Sequence, residues 1–172
     1  EKPRPQDFFG AESFEEMSRV RGNWLNPGNA QVLMNHVMLG DLLESRGLLE
    51  RYETFVFTRS DQLHVVPFPS SSQLLEALRP EDLLTQAGHE FGGVNYNLAA
   101  MRSTLAGAYL RSPRAFIAGR AISGQRPTSS HDRTYNIERF FRQVCVENGW
   151  RNLRMSITCF ITAESVGDRS TW

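Results

Sequence analysis

The chain has 172 residues, 40% of them hydrophobic, and its 19 basic side chains are balanced by 19 acidic ones. That length suits one sizeable core and leaves little room for a second. The balanced charge withholds the positive field that holds a nucleic-acid backbone without sequence preference, so nucleic acid is not expected as a partner. No run approaches the roughly 18 apolar residues that span a bilayer, and no membrane span is expected in this chain.

Residues 1–28 are rich in proline, glycine and polar residues, with a short helical pattern only at SFEEMSRV (13–20), and read as an irregular N-terminal arm. Asn26-Pro27 then offers a cap followed by proline in a first helical turn. Ala30, Leu33, Met34, Val37 and Met38 recur at helical spacing as far as Leu42 and Leu43, predicting a long amphipathic helix that ends near Gly47. Phe55-Val56-Phe57 follows as a strand, and after the Ser70-Ser71-Ser72 loop a short helix is predicted around Gln73–Leu78, stopped by Pro80. Gly92-Gly93 marks a turn, Leu98–Leu110 a further helix, and the stretch 111–133, rich in Ser, Arg, Gly and Pro, a long loop that is a candidate lid. Ile137, Phe140, Phe141, Val144 and Cys145 form one face of a helix that stops at Asn148-Gly149. Leu153–Ile161 reads as a last strand. The alternation predicts one α/β domain over residues 29–172, with a mostly parallel sheet and helices on both faces. Phe55, Phe57, Phe140, Phe141 and Trp150 belong to its core. Cys145 and Cys159 lack metal spacing and read as two buried thiols, the alternative being a single bridge.

The stretch 53–69, ETFVFTRSDQLHVVPFP, is the most informative for function. It reads as a buried, central strand that sheds its polar groups at its carboxyl end, delivering Arg59 and Asp61 to the edge of the sheet where α/β proteins bind ligands. The bland alternative is a surface ion pair between the two. An R-S-D tripeptide after an aromatic, β-branched strand, a P-F-P, the segment E-F-G-G-V-N, then N-I-E opening a helix, a C-F-I-T-A strand and a terminal Trp172 come in an order that resembles the GT-A-like glycosyltransferases with an R-S-D or R-P-D signature. The resemblance covers about residues 29–172 and implies a GT-A-like, nucleotide-diphospho-sugar transferase-like fold. In that family the N-terminal half carries a first strand and loop that hold the nucleotide. Nothing before Asn26 reads as such a strand, so the domain is expected to be truncated at its N-terminus, the donor-binding half lying upstream or having been lost.

By that resemblance, the function is metal-assisted transfer of a sugar from a nucleotide-sugar donor to a glycan or protein acceptor. Asp61 is implied as a catalytic residue and as ligand of a divalent cation, Mn or Mg, since a departing diphosphate needs a hard cation held by carboxylate oxygen. Arg59 is implied near the phosphates. Glu90, Gly92, Gly93 and Asn95 are implied in substrate binding, where paired glycines admit close approach and the flanking groups reach sugar hydroxyls; the residues alone read equally as a tight turn. Asn136 is implied in substrate binding and Glu138 as a second catalytic residue, although a carboxylate in a first helical turn is favoured by the helix dipole in any case. His131 and Asp132 stand just before it as a loop base candidate, and His36, His64 and His89 lack ligand spacing. After G-G-x-N the family continues with acidic, arginine and histidine residues. Here stand Tyr96, Asn97 and Leu98, which suit binding better than proton transfer. The alternative is therefore a catalytically inactive, carbohydrate-binding or structural subunit of a larger assembly, in which Arg111, Arg114, Arg120, Arg126, Arg133 and Arg139 would meet partner chains. Localisation is expected in the secretory-pathway lumen if an upstream targeting segment has been removed, and in the cytoplasm otherwise.

Overall fold

The computed structural model describes residues 4–10, 27–59, 62–64, 66–88, 90–117, 137–156 and 159–161. In chain order these form α1 (Pro5–Phe9), α2 (Pro27–Ser45), α3 (Leu48–Arg51), β1 (Thr54–Thr58), β2 (Gln62–His64), α4 (Ser71–Ala77), β3 (Asp82–Gln86), β4 (Leu98–Arg102), α5 (Ser103–Ile117), α6 (Ile137–Asn148), β5 (Arg151–Met155) and β6 (Cys159–Ile161). Among the described residues no helix is long and apolar enough to cross a membrane. The SFEEMSRV pattern of the arm lies outside the described residues.

The main sheet is mixed and has the order β1-β4-β3-β5. β4 runs antiparallel to both neighbours, pairing Thr58 with Leu98 on one side and Thr85 with Ala99 on the other. Only β3 and β5 are parallel, with Asp82 opposite Arg151 and Gln86 opposite Met155. The expected mostly parallel sheet is thus corrected: the described residues of the 87–97 connection between β3 and β4 carry no helix, and without a crossover element two strands return antiparallel. The α/β character and the helices on both faces hold. On one face Leu74 of α4 packs with Leu78 against Ala100, with Phe68, Leu84 and Leu153 at its margin. On the other, α2, α5 and α6 close over Leu83, Ala99 and Met101 in a core that includes Leu33, Tyr109, Phe140 and Phe141. Phe55, Phe57 and Trp150 flank that core, and the Tyr109 and Phe141 rings stack with centroids 5.0 Å apart. Cys145 is buried and unbridged, and burial pushes its thiol up to about 12.

Other expectations change in instructive ways. β1 is an edge strand and not a central, buried one: it pairs only with β4, and Val56 on its open side is 42% exposed. Leu98–Met101 is a strand where a helix was expected. All four residues are buried, and a strand covered on both faces is a continuous apolar run that periodicity cannot separate from helix. The helix starts only at Ser103 and continues through Pro113 to Ile117, so the first residues of the expected 111–133 lid are helical. Its remainder lies outside the described residues. The last strand is two: β5 completes the main sheet, while β6 pairs antiparallel with β2 in a separate ribbon, Leu63 opposite Phe160. β3 was not anticipated at all. α2 and α6 fall where their apolar spacing puts them, and α4 starts at a capping box in which Ser70 and Gln73 satisfy each other's backbone N–H.

Candidate functional site

β1, β3 and β5 point the same way, since β1 and β3 both run against β4 and β5 runs with β3. Their carboxyl ends, and the start of β4, therefore share one end of the sheet, the end at which α/β sheets bind ligands. Three sequence motifs far apart in the chain meet there. Arg59 follows β1 directly and is half-buried. The segment 90–97 leads into β4, and Glu138 opens α6.

The 90–97 segment is bolted to the helix by its backbone. Gly93 N–H donates to the Glu90 carbonyl at 2.6 Å and Val94 N–H to the Glu138 carbonyl at 2.8 Å. A Cβ on Gly93 would stand 1.9 Å from the Glu138 carbonyl carbon and 2.3 Å from the Arg139 nitrogen. The close approach expected of the paired glycines is real, but it is made by a helix backbone. Gly92 takes a positive φ of 85° with the Arg139 guanidinium against it, and Arg142 Nη1 donates to the Gly92 carbonyl at 3.1 Å. Asn95 is 1% exposed. Its Nδ2 donates to the Gly88 carbonyl at 2.7 Å and its Oδ1 accepts from Asn97 N–H at 2.9 Å, so the amide holds the loop together. Glu90 faces Arg154 at 3.6 Å.

Arg59, Tyr96 and Glu138 form the electrostatic centre of this end. Burial raises the Tyr96 phenol and the neighbouring Glu138 raises it further, while the Arg59 guanidinium, which hydrogen-bonds the phenol, pulls the other way. Tyr96 also stacks on Phe141, with centroids 6.0 Å apart. Glu138 is buried, and desolvation holds its carboxyl above the ordinary 4.5 against the opposing pull of a backbone hydrogen bond. A carboxyl so placed keeps its proton to higher pH than an exposed one and is the stronger base once it has lost it.

That shift has a measurable consequence. A folded-state value above the unfolded one favours folding while Glu138 is protonated, and the advantage disappears as pH rises from 4.5 through the folded-state value. The melting temperature of the wild type is expected to fall relative to Glu138→Gln as pH climbs across that interval, with the two curves differing least at the acid end. Parallel curves would remove the desolvated carboxyl.

Asp61 and Asn136 lie outside the described residues, as do His89, His131, Asp132, Arg120, Arg126 and Arg133. Arg59, Glu90, Gly92, Gly93, Asn95 and Glu138 are brought together. Arg111 and Arg114 are not: they sit on α5 and pair with Glu44 and Asp41 of α2, each at 2.5 Å. Arg142 and Arg154 join the site without any sequence signal, because their places follow from how α6 and β5 dock, and Phe91 joins it from within the E-F-G-G-V-N segment, where it was not singled out. Among the described residues no group of three or more His, Cys, Asp or Glu side chains could hold a metal ion. With Glu90 facing Arg154 and Glu138 desolvated, these residues do not by themselves form a cation site. No family of known proteins, no curated protein and no solved structure matches the chain.

Proposed function

We propose that this chain is a glycosyltransferase-like domain that takes a nucleotide-sugar donor at the carboxyl ends of β1, β3 and β5 and serves transfer of the sugar to a glycan or protein acceptor. One observation carries the reading: Arg59, the 90–96 segment and Glu138, each taken from a separate motif, converge on one end of one sheet. Arg59, steadied by Tyr96, offers a guanidinium for a phosphate. Glu138, a desolvated carboxyl at this end, is a group able to take a proton from an acceptor hydroxyl. Asp61, as ligand of Mn or Mg, belongs to the proposal through the R-S-D tripeptide alone, and such a cation would neutralise a departing diphosphate.

A second reading is favoured by the turn itself. Gly93 and Asn95 serve the fold, and Tyr96 and Asn97 replace charged groups, which suits an inactive carbohydrate-binding or structural subunit. Calorimetry with UDP-, GDP- and CMP-sugars, with and without Mn²⁺, separates the two. The transferase reading expects binding by at least one donor, weakened by about 1–3 kcal/mol in Arg59→Ala and stripped of its Mn²⁺ dependence in Asp61→Asn. No binding across the panel would leave the subunit reading.

A further inference from the structure

We propose that Phe91 is the platform on which the base of a nucleoside diphosphate stacks, with Arg142, which donates to the carbonyl of the next residue, taking its phosphates. This rests on the nucleotide-sugar reading and names the part of the donor that this end of the sheet would grip.

Phe91 is 64% exposed, so its ring contributes little to the core. It is also the one non-glycine residue among the described residues with a positive φ, 42°. A bulky side chain in that region is strained, and glycine or asparagine would make the same turn at less cost. Exposure and strain together are a poor bargain for folding, and such conformations persist only where the surroundings impose them. Here they do. The Gly93 N–H bond to Glu90 at 2.6 Å closes the turn, the Val94 bond to Glu138 at 2.8 Å fixes it to α6, and Arg142 holds the Gly92 carbonyl at 3.1 Å. The ring is thus presented on a rigid mount, which spares a ligand the entropy of ordering it.

The chemistry beside the ring selects the ligand. The Arg139 guanidinium lies where a Cβ on Gly92 would come within 3.1 Å of its Nε. Arg142 is exposed and uses one nitrogen on the Gly92 carbonyl, leaving the rest of its fork of donors. The acidic member of the turn, Glu90, is faced by Arg154. A flat exposed ring one residue from a carbonyl that an exposed arginine holds matches a base joined to phosphates: the ring takes the π-face, which every base has, and the guanidinium takes the anion.

The test is calorimetry of the whole chain with UDP, GDP and CMP and with their sugars, run alongside thermal melting. Wild type, Phe91→Gly and Phe91→Trp are compared. Phe91→Gly is expected to bind the preferred nucleotide about 10- to 100-fold more weakly. Its melting temperature should be unchanged or raised, because glycine relieves the positive φ. Phe91→Trp is expected to bind as wild type does. If wild type binds a nucleotide and Phe91→Gly binds it equally, the platform is overturned while the nucleotide-sugar reading stands. Weakened binding with a matching loss of melting temperature in both variants marks a structural ring and likewise overturns it. If wild type binds none of the nucleotides, both readings fall.

Discussion

Gly93→Ala is expected to cost about 3 kcal/mol of folding stability, enough to shift a chemical denaturation midpoint plainly. The methyl group would have to share space with the Glu138 carbonyl carbon at 1.9 Å, its oxygen at 2.1 Å and the Arg139 nitrogen at 2.3 Å. All three are backbone atoms of a helix, so no side chain can swing aside. The turn would have to lift away, taking with it the Val94 bond to Glu138, worth about 1 kcal/mol. Gly92→Ala next door is the control. It meets only the movable end of Arg139 and mainly bears the strain of a positive φ, about 1 kcal/mol. Equal midpoints for the two variants would mean that the turn does not rest on the helix backbone.

Arg151→Ala is the second large loss, at the opposite end of the sheet. Asp82 is fully buried. It receives Arg151 Nε at 2.7 Å and Nη2 at 2.8 Å, and the Arg79 N–H at 2.9 Å. Asp82 and Arg151 are register partners in the sole parallel pairing of the main sheet, so the ion pair sits where β5 joins. Removing the guanidinium leaves a buried carboxylate with one backbone donor. Breaking such a pair costs about 3–5 kcal/mol, and because the arginine itself is half-exposed and reached by water, the lower end applies. Arg151→Lys keeps the charge but loses the fork and should fall between. Urea denaturation of the three proteins checks the order, and a loss under about 1 kcal/mol for Arg151→Ala would mean that the pair does not hold β5.

How much of this could be read from the sequence depended on whether an element wears one face or two. α6 alternates apolar and polar residues around the helix and was placed; α2 was placed by Ala30, Leu33, Met34 and Val37, although it is less amphipathic than expected, with Met38 and Leu42 of the same pattern exposed. β3 and β4 are covered on both sides, so Asp82–Gln86 and Leu98–Met101 carry no alternation; one was missed and the other read as helix, a choice the helix preference of its alanines encourages. The site was legible in its membership more than in its roles. Arg59, Glu90, Gly92, Gly93, Asn95 and Glu138 do come together, yet nothing in the letters E-F-G-G-V-N tells whether a glycine makes room for a sugar or for a helix. Arg111 and Arg114 show the converse. Their spacing invited a basic loop, and acidic partners on α2, about seventy residues earlier, hold them on a helix.

The dock between the 90–97 segment and α6 is made of main-chain atoms, Val94 N–H to the Glu138 carbonyl and the Gly93 α-carbon against the same peptide. Main-chain contacts do not depend on which side chains surround them. Phe91, which faces outward from this mount, can therefore change in kind without moving the mount itself. Divergent copies of this domain would be free to vary this outward position, while a single glycine keeps the geometry in place.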